Sequence, residues 1–349
     1  MSGRLRIASF NLENLDERPD LDPPLAARIE VLRPQLLRLD ADVLCLQEVH
    51  GQKPRGADRR GLLALDRLLE GTPYAGFERA FTRSAGNHPP GEAWPADVHN
   101  LVVLSRWPIT SAEELRGELV EPPAWRPRTA EPAPAAAAPC RWDRPLLNAR
   151  IALPGGRTLH VLNLHLRAPL AANIPGQKAG PFAWKSVGGW AEGFFLATLK
   201  RAGQALEARL LVERLLDEEP EALVAVVGDL NAEEREMPVR LLLAETTDTG
   251  NGALAARSLV ALERSLPPDQ RFSVVHQGHR LMLDHILVSR PLLAAFRRLE
   301  IHAETLGDEL VAATGTLHPT ESTHAPLVAE FAVEAAPADT APRAAGGPA

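Results

Sequence analysis

Three short segments of this chain, residues 43–47 (VLCLQ), 160–164 (HVLNL) and 223–227 (LVAVV), are apolar at nearly every position. A strand with one face in water alternates apolar and polar residues, so a strand without that alternation is covered on both faces. This excludes an open, solvated sheet and requires layers above and below. Strand-like runs fall at residues 5–10, 43–46, 101–104, 147–152, 159–164, 223–227, 283–288 and 327–333. Helical spacing is found at 24–39, 59–69, 199–217 and 238–243, and Leu206, Leu210, Leu211 and Leu215 place one apolar face on the third. The expected fold class is α/β, a layered sandwich.

The chain has 349 residues, 45% hydrophobic and 24% charged, enough to bury a full core without a metal or disulfide staple. Thirty-eight basic against 45 acidic residues give −7, which excludes a coating protein that gathers phosphate backbones by a global positive field. Cys45 and Cys140 are the only cysteines, too few for a disulfide framework or a cysteine zinc cluster. Residues 1–10 carry no apolar signal core and the longest apolar run is far short of a membrane span, so a cytoplasmic protein with no stable membrane insertion is expected. No repeat and no central linker interrupt the pattern. One domain over residues 1–334 is expected, followed by a disordered tail over 335–349 (AAPADTAPRAAGGPA). The proline-rich stretch 119–145 reads as a surface loop. Residues 168–193, with five glycines, Trp184 and Trp190, read as an unusually long structureless connection.

Polar residues of a restricted chemical kind recur at strand ends: Asn11 and Glu13, Gln47 and Glu48, Asn163 and His165, Asp229 and Asn231, Asp284, and His324 before the last strand. Each alone reads as a cap or turn former. Together they provide carboxylates for a hard cation, neutral amides, and histidines for proton transfer, the inventory of metal-assisted phosphoryl chemistry. His285, adjacent to Asp284 in a strand, points to the opposite face and reads as packing or surface.

The motifs SFNLEN, LQEV, LSRWPI, LNLHL, GDLNA, LDHILVS and STHAPL, spread from Ser9 to Leu327, resemble the endonuclease/exonuclease/phosphatase superfamily. That group includes abasic-site endonucleases, pancreatic deoxyribonuclease, neutral sphingomyelinases and inositol polyphosphate 5-phosphatases. The resemblance implies a four-layer α/β sandwich, two mixed sheets face to face with helices outside. It implies an enzyme, a metal-dependent phosphoester hydrolase with Mg²⁺ as cofactor and Mn²⁺ as the alternative. It implies Glu48 and Asn11 as the metal ligands, with the following roles for the other residues. Asp229 and Asn231 position or deprotonate water and orient the scissile phosphate, while His324 is held by Asp284 and acts at the phosphate with His165. Asn163, Arg144, Lys178 and Lys185 are expected to contact the phosphate or the rest of the substrate.

One departure stands out. The family usually reads Ser-Asp-His before the last strand, whereas this chain has Ser322, Thr323 and His324, so Thr323 replaces an expected metal-site carboxylate. Glu13 and Glu321 are the candidate acids to compensate. Two alternatives follow: a DNA endonuclease or exonuclease of the same superfamily, and a catalytically impaired binding protein. Arg141, Arg144, Lys178, Lys185, Lys200 and Arg201 form a local basic set for an anionic substrate, with Trp184 and Trp190 available for stacking. The expected partner is a phosphoester substrate, small molecule, headgroup or nucleic acid, bound by a monomer.

Overall fold

Twelve strands gather into two six-stranded sheets in the computed structural model, which describes residues 2–18, 20–84, 94–310 and 320–334. In chain order they are β1 (Ser2–Leu15), β2 (Val43–Val49), β3 (Glu78–Phe81), β4 (Asn100–Ser105), β5 (Ile109–Leu115) and β6 (Leu146–Ala152). These are followed by β7 (Thr158–His165), β8 (Leu223–Asp229), β9 (Val260–Ala261), β10 (Asp284–Val288), β11 (Phe296–Ile301) and β12 (Leu327–Glu334). The first sheet has the order β11-β12-β1-β2-β4-β3 and the second β9-β10-β8-β7-β6-β5. Each is mixed: β1 and β2 run parallel, as do β7 and β8, while their other neighbours are antiparallel. The tail expected at 335–349 lies outside the described residues.

Period-two packing explains the uninterrupted apolar runs. Ile7, Cys45 and Val103 of the first sheet meet Ala149, Val161, Ala225 and Val227 of the second in a shared core. Their neighbours Ala8, Phe10, Leu44 and Leu46 face outward, onto the helices α1 (Leu25–Leu39) and α2 (Leu63–Leu69). On the far side Leu162, Leu164, Val224 and Val226 pack on α3 (Val187–Glu218) and α4 (Met237–Leu243). The result is the expected four layers. Each fully buried Leu, Ile or Val contributes about 1.5–3 kcal/mol, which is why neither face of these strands tolerates a charge.

The structure departs from the sequence pattern in three places. The strands β3, β5, β9 and β11, absent from the eight expected, are the four sheet edges. Their charged, half-exposed sequences, such as ITSAEEL and FRRLEI, carry little apolar periodicity. Second, α3 begins at Val187, inside the stretch expected to be structureless, because Ser186 caps it by accepting a hydrogen bond from the Gly189 N–H at 3.0 Å. Its buried stripe is Ala205, Ala208, Leu211, Val212 and Leu215, while Leu206 and Leu210 are exposed. Third, the loop over 119–145 is tied to α3 by two carboxylates. Glu207 accepts from Gly117 N, Leu119 N and Trp142 Nε1, and Glu192 accepts from Trp125 Nε1, Thr129 N and Thr129 Oγ1. Trp142 lies on Gly203, where an added Cβ would stand 2.0 Å from the indole.

Candidate active site

Register brings the polar strand ends together. In the second sheet Asp229 of β8 is the cross-strand partner of His165 on β7 and of Asp284 on β10, so three residues stand side by side on adjacent strands. In the first sheet Asn11 of β1 pairs with Gln47 of β2, and Glu48 follows at the strand end. Side-chain hydrogen bonds then join the two sheets. Asn11 Nδ2 donates to Asp229 Oδ2 at 3.1 Å and lies 3.4 Å from Glu48 Oε1. His165 Nε2 stands 3.3 Å from Asp229 Oδ2 and 3.5 Å from Glu48 Oε1.

Strained backbone marks the same place. Of eight non-glycine residues described with positive φ, five are here: Glu13, Asn14, Glu48, His99 and Asn231. Such conformations persist only where the surroundings hold them, and they aim side chains that a regular strand would turn aside. Gly228, with φ 130°, precedes Asp229 where β8 passes so close to β7 that a Cβ would meet the Leu164 carbonyl oxygen at 2.0 Å. Only glycine fits that approach.

The segment before β12 closes the site. Ser322 Oγ donates to the Asn11 carbonyl at 2.7 Å, and His324 Nδ1 lies 2.7 Å from Asp284 Oδ2, leaving its Nε2 directed toward Asp229 at 3.9 Å. The buried Arg28 donates to the carbonyls of Leu12, Glu13 and Thr320, fastening the end of β1 to this segment. Glu13 then accepts a hydrogen bond from the Thr323 N–H at 2.6 Å. Of the two acids weighed from sequence, Glu13 therefore reaches the backbone of position 323 from β1, whereas Glu321 contacts Thr320.

Electrostatics follow from burial among opposite charges. Burial alone would raise Asp229, but His324 and His165 and the Asn231 N–H outweigh it and hold the carboxyl well below the usual range. Glu48 is likewise lowered against burial by His165, His99 and Arg144. Burial disfavours an imidazolium at His324, yet Asp284, Asp229 and Glu48 push it up to about 10. His99 goes the other way: burial, then the Arg144 charge, bring it down to about 4. At neutral pH the site therefore holds ionised carboxylates, a charged His324 and a neutral His99.

Several expected residues have other placements. Asn163 lies wholly between the sheets: Nδ2 donates to the carbonyls of Leu46 and Val102, both at 3.0 Å, and Oδ1 accepts from Gln47 Nε2 at 2.7 Å. With its amide so occupied it bridges the sheets, which corrects its expected role as a substrate contact. Lys178 places its ammonium 3.9 Å from the Trp184 ring centre and donates to the Pro181 carbonyl, while Lys185 is exposed on the same loop. Neither is brought against the cluster. Lys200 is paired with Asp143, and Arg144 faces Glu48 and Asp229. Asn231 donates through Nδ2 to the Leu166 carbonyl and to Asp229, so it positions Asp229. His285 is buried on the far face, against Glu263 and the Ala232 carbonyl.

Two residues escaped the sequence reading, His99 and His50. His99 lies 3.9 Å from Glu48 through Nδ1, with its ring next to those of His50 and His165. Neither lies within a strand: His50 follows β2 and His99 precedes β4. Strand β4 runs antiparallel to β2 and therefore starts where β2 ends, Val49 opposite Asn100.

A model of the endonuclease/exonuclease/phosphatase family matches residues 8–306. The chain belongs to that family. Membership makes it a hydrolase of the nuclease and phosphatase class. Solved structures share the fold: a family protein from Bacteroides thetaiotaomicron (TM-score 0.54, 13% identity, 96% of each chain covered) and one from Beutenbergia cavernae (0.52, 16%, 95% of this chain and 72% of that one). TDP2 from Caenorhabditis elegans is similar as well (0.53, 13%, 95% and 75%). At these identities the likeness establishes the fold. No curated protein matches the chain.

Proposed function

We propose that this chain is a divalent-cation-dependent phosphoester hydrolase, a phosphodiesterase or phosphatase, with its reaction centred on Asp229. The observation that carries the reading is the convergence on one carboxylate, Asp229 Oδ2, of Asn11, Asn231, His165 and the His324–Asp284 dyad. Glu48 offers the carboxylate oxygens that Mg²⁺ accepts, Mn²⁺ being the alternative ion, and Asn11, expected beside it as a ligand, turns its Nδ2 toward Glu48 and Asp229 while its Oδ1 accepts from the Glu13 N–H. Among the described residues Glu48, His99 and His165, and separately Asp229, Asp284 and His324, bring ligand-capable atoms within 4.8 Å of one another. When bound, the ion supplies Lewis-acid polarisation of the phosphoryl group.

The chain's own residues perform the remaining work. Asp229, kept ionised, orients the attacking water and accepts its proton. Asp284 fixes the His324 ring by accepting from Nδ1, so that the Nε2 proton is available to an oxyanion or leaving group. Arg144 adds positive charge on the Glu48 side. The carboxylate of Glu13 at Thr323 supports an active enzyme over an impaired binding protein. The test is hydrolysis of bis(p-nitrophenyl) phosphate and of abasic and nicked DNA, with Mg²⁺, Mn²⁺ or EDTA, by wild type and His324→Ala. Turnover that requires the cation and disappears in the variant is expected. Turnover unaffected by EDTA, or retained by the variant, overturns the proposal.

A further inference from the structure

Glu48 is approached from two sides of different chemistry. On one side are the amide of Asn11 and the backbone N–H of Asn14. On the other are two imidazoles, His165 Nε2 at 3.5 Å from one carboxylate oxygen and His99 Nδ1 at 3.9 Å from the other. The ligand-capable atoms of Glu48, His99 and His165 all lie within 4.8 Å of one another. The proposed hydrolysis uses His165 and leaves His99 without a task.

His99 is nonetheless held there at some cost. Its backbone adopts φ 55°, a left-handed conformation unfavourable for a residue with a side chain. Asn100, next in the chain, is wholly buried and anchors the turn by donating to the carbonyls of Val49 and Ala96 and accepting from Ala96 N. The ring so placed presents a buried Nδ1 with no hydrogen-bond partner among the described residues. A buried polar atom left unpaired is costly, and such atoms persist where a ligand satisfies them.

We infer that His99 is a nitrogen ligand which, with Glu48 and His165, directs this cation site toward a first-row transition ion such as Mn²⁺ or Co²⁺ in preference to Mg²⁺. The inference rests on the cation-dependent reading above. Mg²⁺ demands oxygen ligands and gains little from imidazole, whereas nitrogen ligation strengthens along the first-row series, modestly at Mn²⁺ and more at Co²⁺. A site that sets two imidazoles beside one carboxylate has moved along that axis.

The experiment is direct binding to the full chain after chelation. Titration calorimetry with MnCl₂, CoCl₂ and MgCl₂ is run on wild type, His99→Asn and Glu48→Gln, with electron spin echo spectroscopy of the Mn²⁺ complex to detect ligand ¹⁴N. Asparagine tolerates the left-handed backbone, so His99→Asn removes the imidazole without adding strain. Wild type is expected to bind Mn²⁺ and Co²⁺ at least about tenfold more tightly than Mg²⁺ and to show nitrogen coupling. His99→Asn is expected to weaken Mn²⁺ and Co²⁺ by about tenfold, leave Mg²⁺ nearly unchanged, and reduce the coupling. Binding lost in Glu48→Gln but unchanged in His99→Asn overturns the role of His99 and leaves the cation-dependent reading standing. No binding of any ion to wild type overturns both. Should His99→Asn fail to fold, wild-type Mn²⁺ that binds without nitrogen coupling overturns the inference by itself.

Discussion

Replacing Asn163 by alanine separates a bridge between sheets from a substrate contact. The side chain is 0% exposed and makes three hydrogen bonds, two to strand carbonyls of the opposing sheet at 3.0 Å and one from Gln47 at 2.7 Å. Each bond contributes about 1 kcal/mol net, and a buried partner left unsatisfied costs about 1–3 kcal/mol. Gln47 keeps a contact to Ser9 Oγ at 3.2 Å, which offsets part of that loss. The expected destabilisation is therefore about 3–5 kcal/mol, roughly a 5–10 °C fall in Tm for a domain of this size. Urea unfolding followed by tryptophan fluorescence measures it. Hydrolysis at a temperature where the variant is folded supplies the second readout, and KM is expected to stay within about threefold of wild type, a difference of under 1 kcal/mol. A variant as stable as wild type with KM raised tenfold or more refutes the bridging argument and returns Asn163 to the substrate.

Further outcomes follow from the same geometry. Asp284→Asn removes the carboxylate that holds His324, and kcat is expected to fall by about 10²–10³ with little change in KM, checked by steady-state kinetics. Thr323→Asp sets a second acid beside Glu13, so turnover is expected to fall or stay level; a tenfold gain disproves compensation by Glu13. Gly228→Ala places a methyl group against the Leu164 carbonyl and is expected to cost more than about 3 kcal/mol, or to prevent soluble expression. His285 is pushed up to about 9 because Glu263 outweighs burial, against about 6.5 in an unfolded chain. Its contribution is thus fully present below pH 6.5 and lost as pH rises through 9. Thermal melts across that window are expected to show up to about 3 kcal/mol of loss, flattened in His285→Gln.

Strand ends that carry chemistry were legible because function leaves polar residues where apolar runs stop. Asn11, Glu48, His165, Asp229 and His324 are legible in that way, and the structure brings each within 3.9 Å of another member of the group. The layered architecture was legible for a related reason: strands covered on both faces, such as LVAVV, have no polar alternation to conceal them. Edge strands such as β5 and β11 were not, since one exposed face and a row of charges imitate a loop.

Sequence alone determined which strands are covered on both faces, which chemistry is available, and the family that combines them, because composition and local periodicity depend on neighbours along the chain. Only the tertiary structure decided which polar residue faces the cleft and which faces the core. Asn163 and His165 stand two apart on one strand, yet one bridges the sheets and the other reaches Asp229, a difference set by the opposing sheet at each level. Likewise His99 enters the site because β4 runs antiparallel to β2, and Glu13 meets Thr323 because Arg28 ties β1 to the segment before β12. Those are contacts between distant parts of the chain, fixed by strand order and register, which local periodicity does not encode.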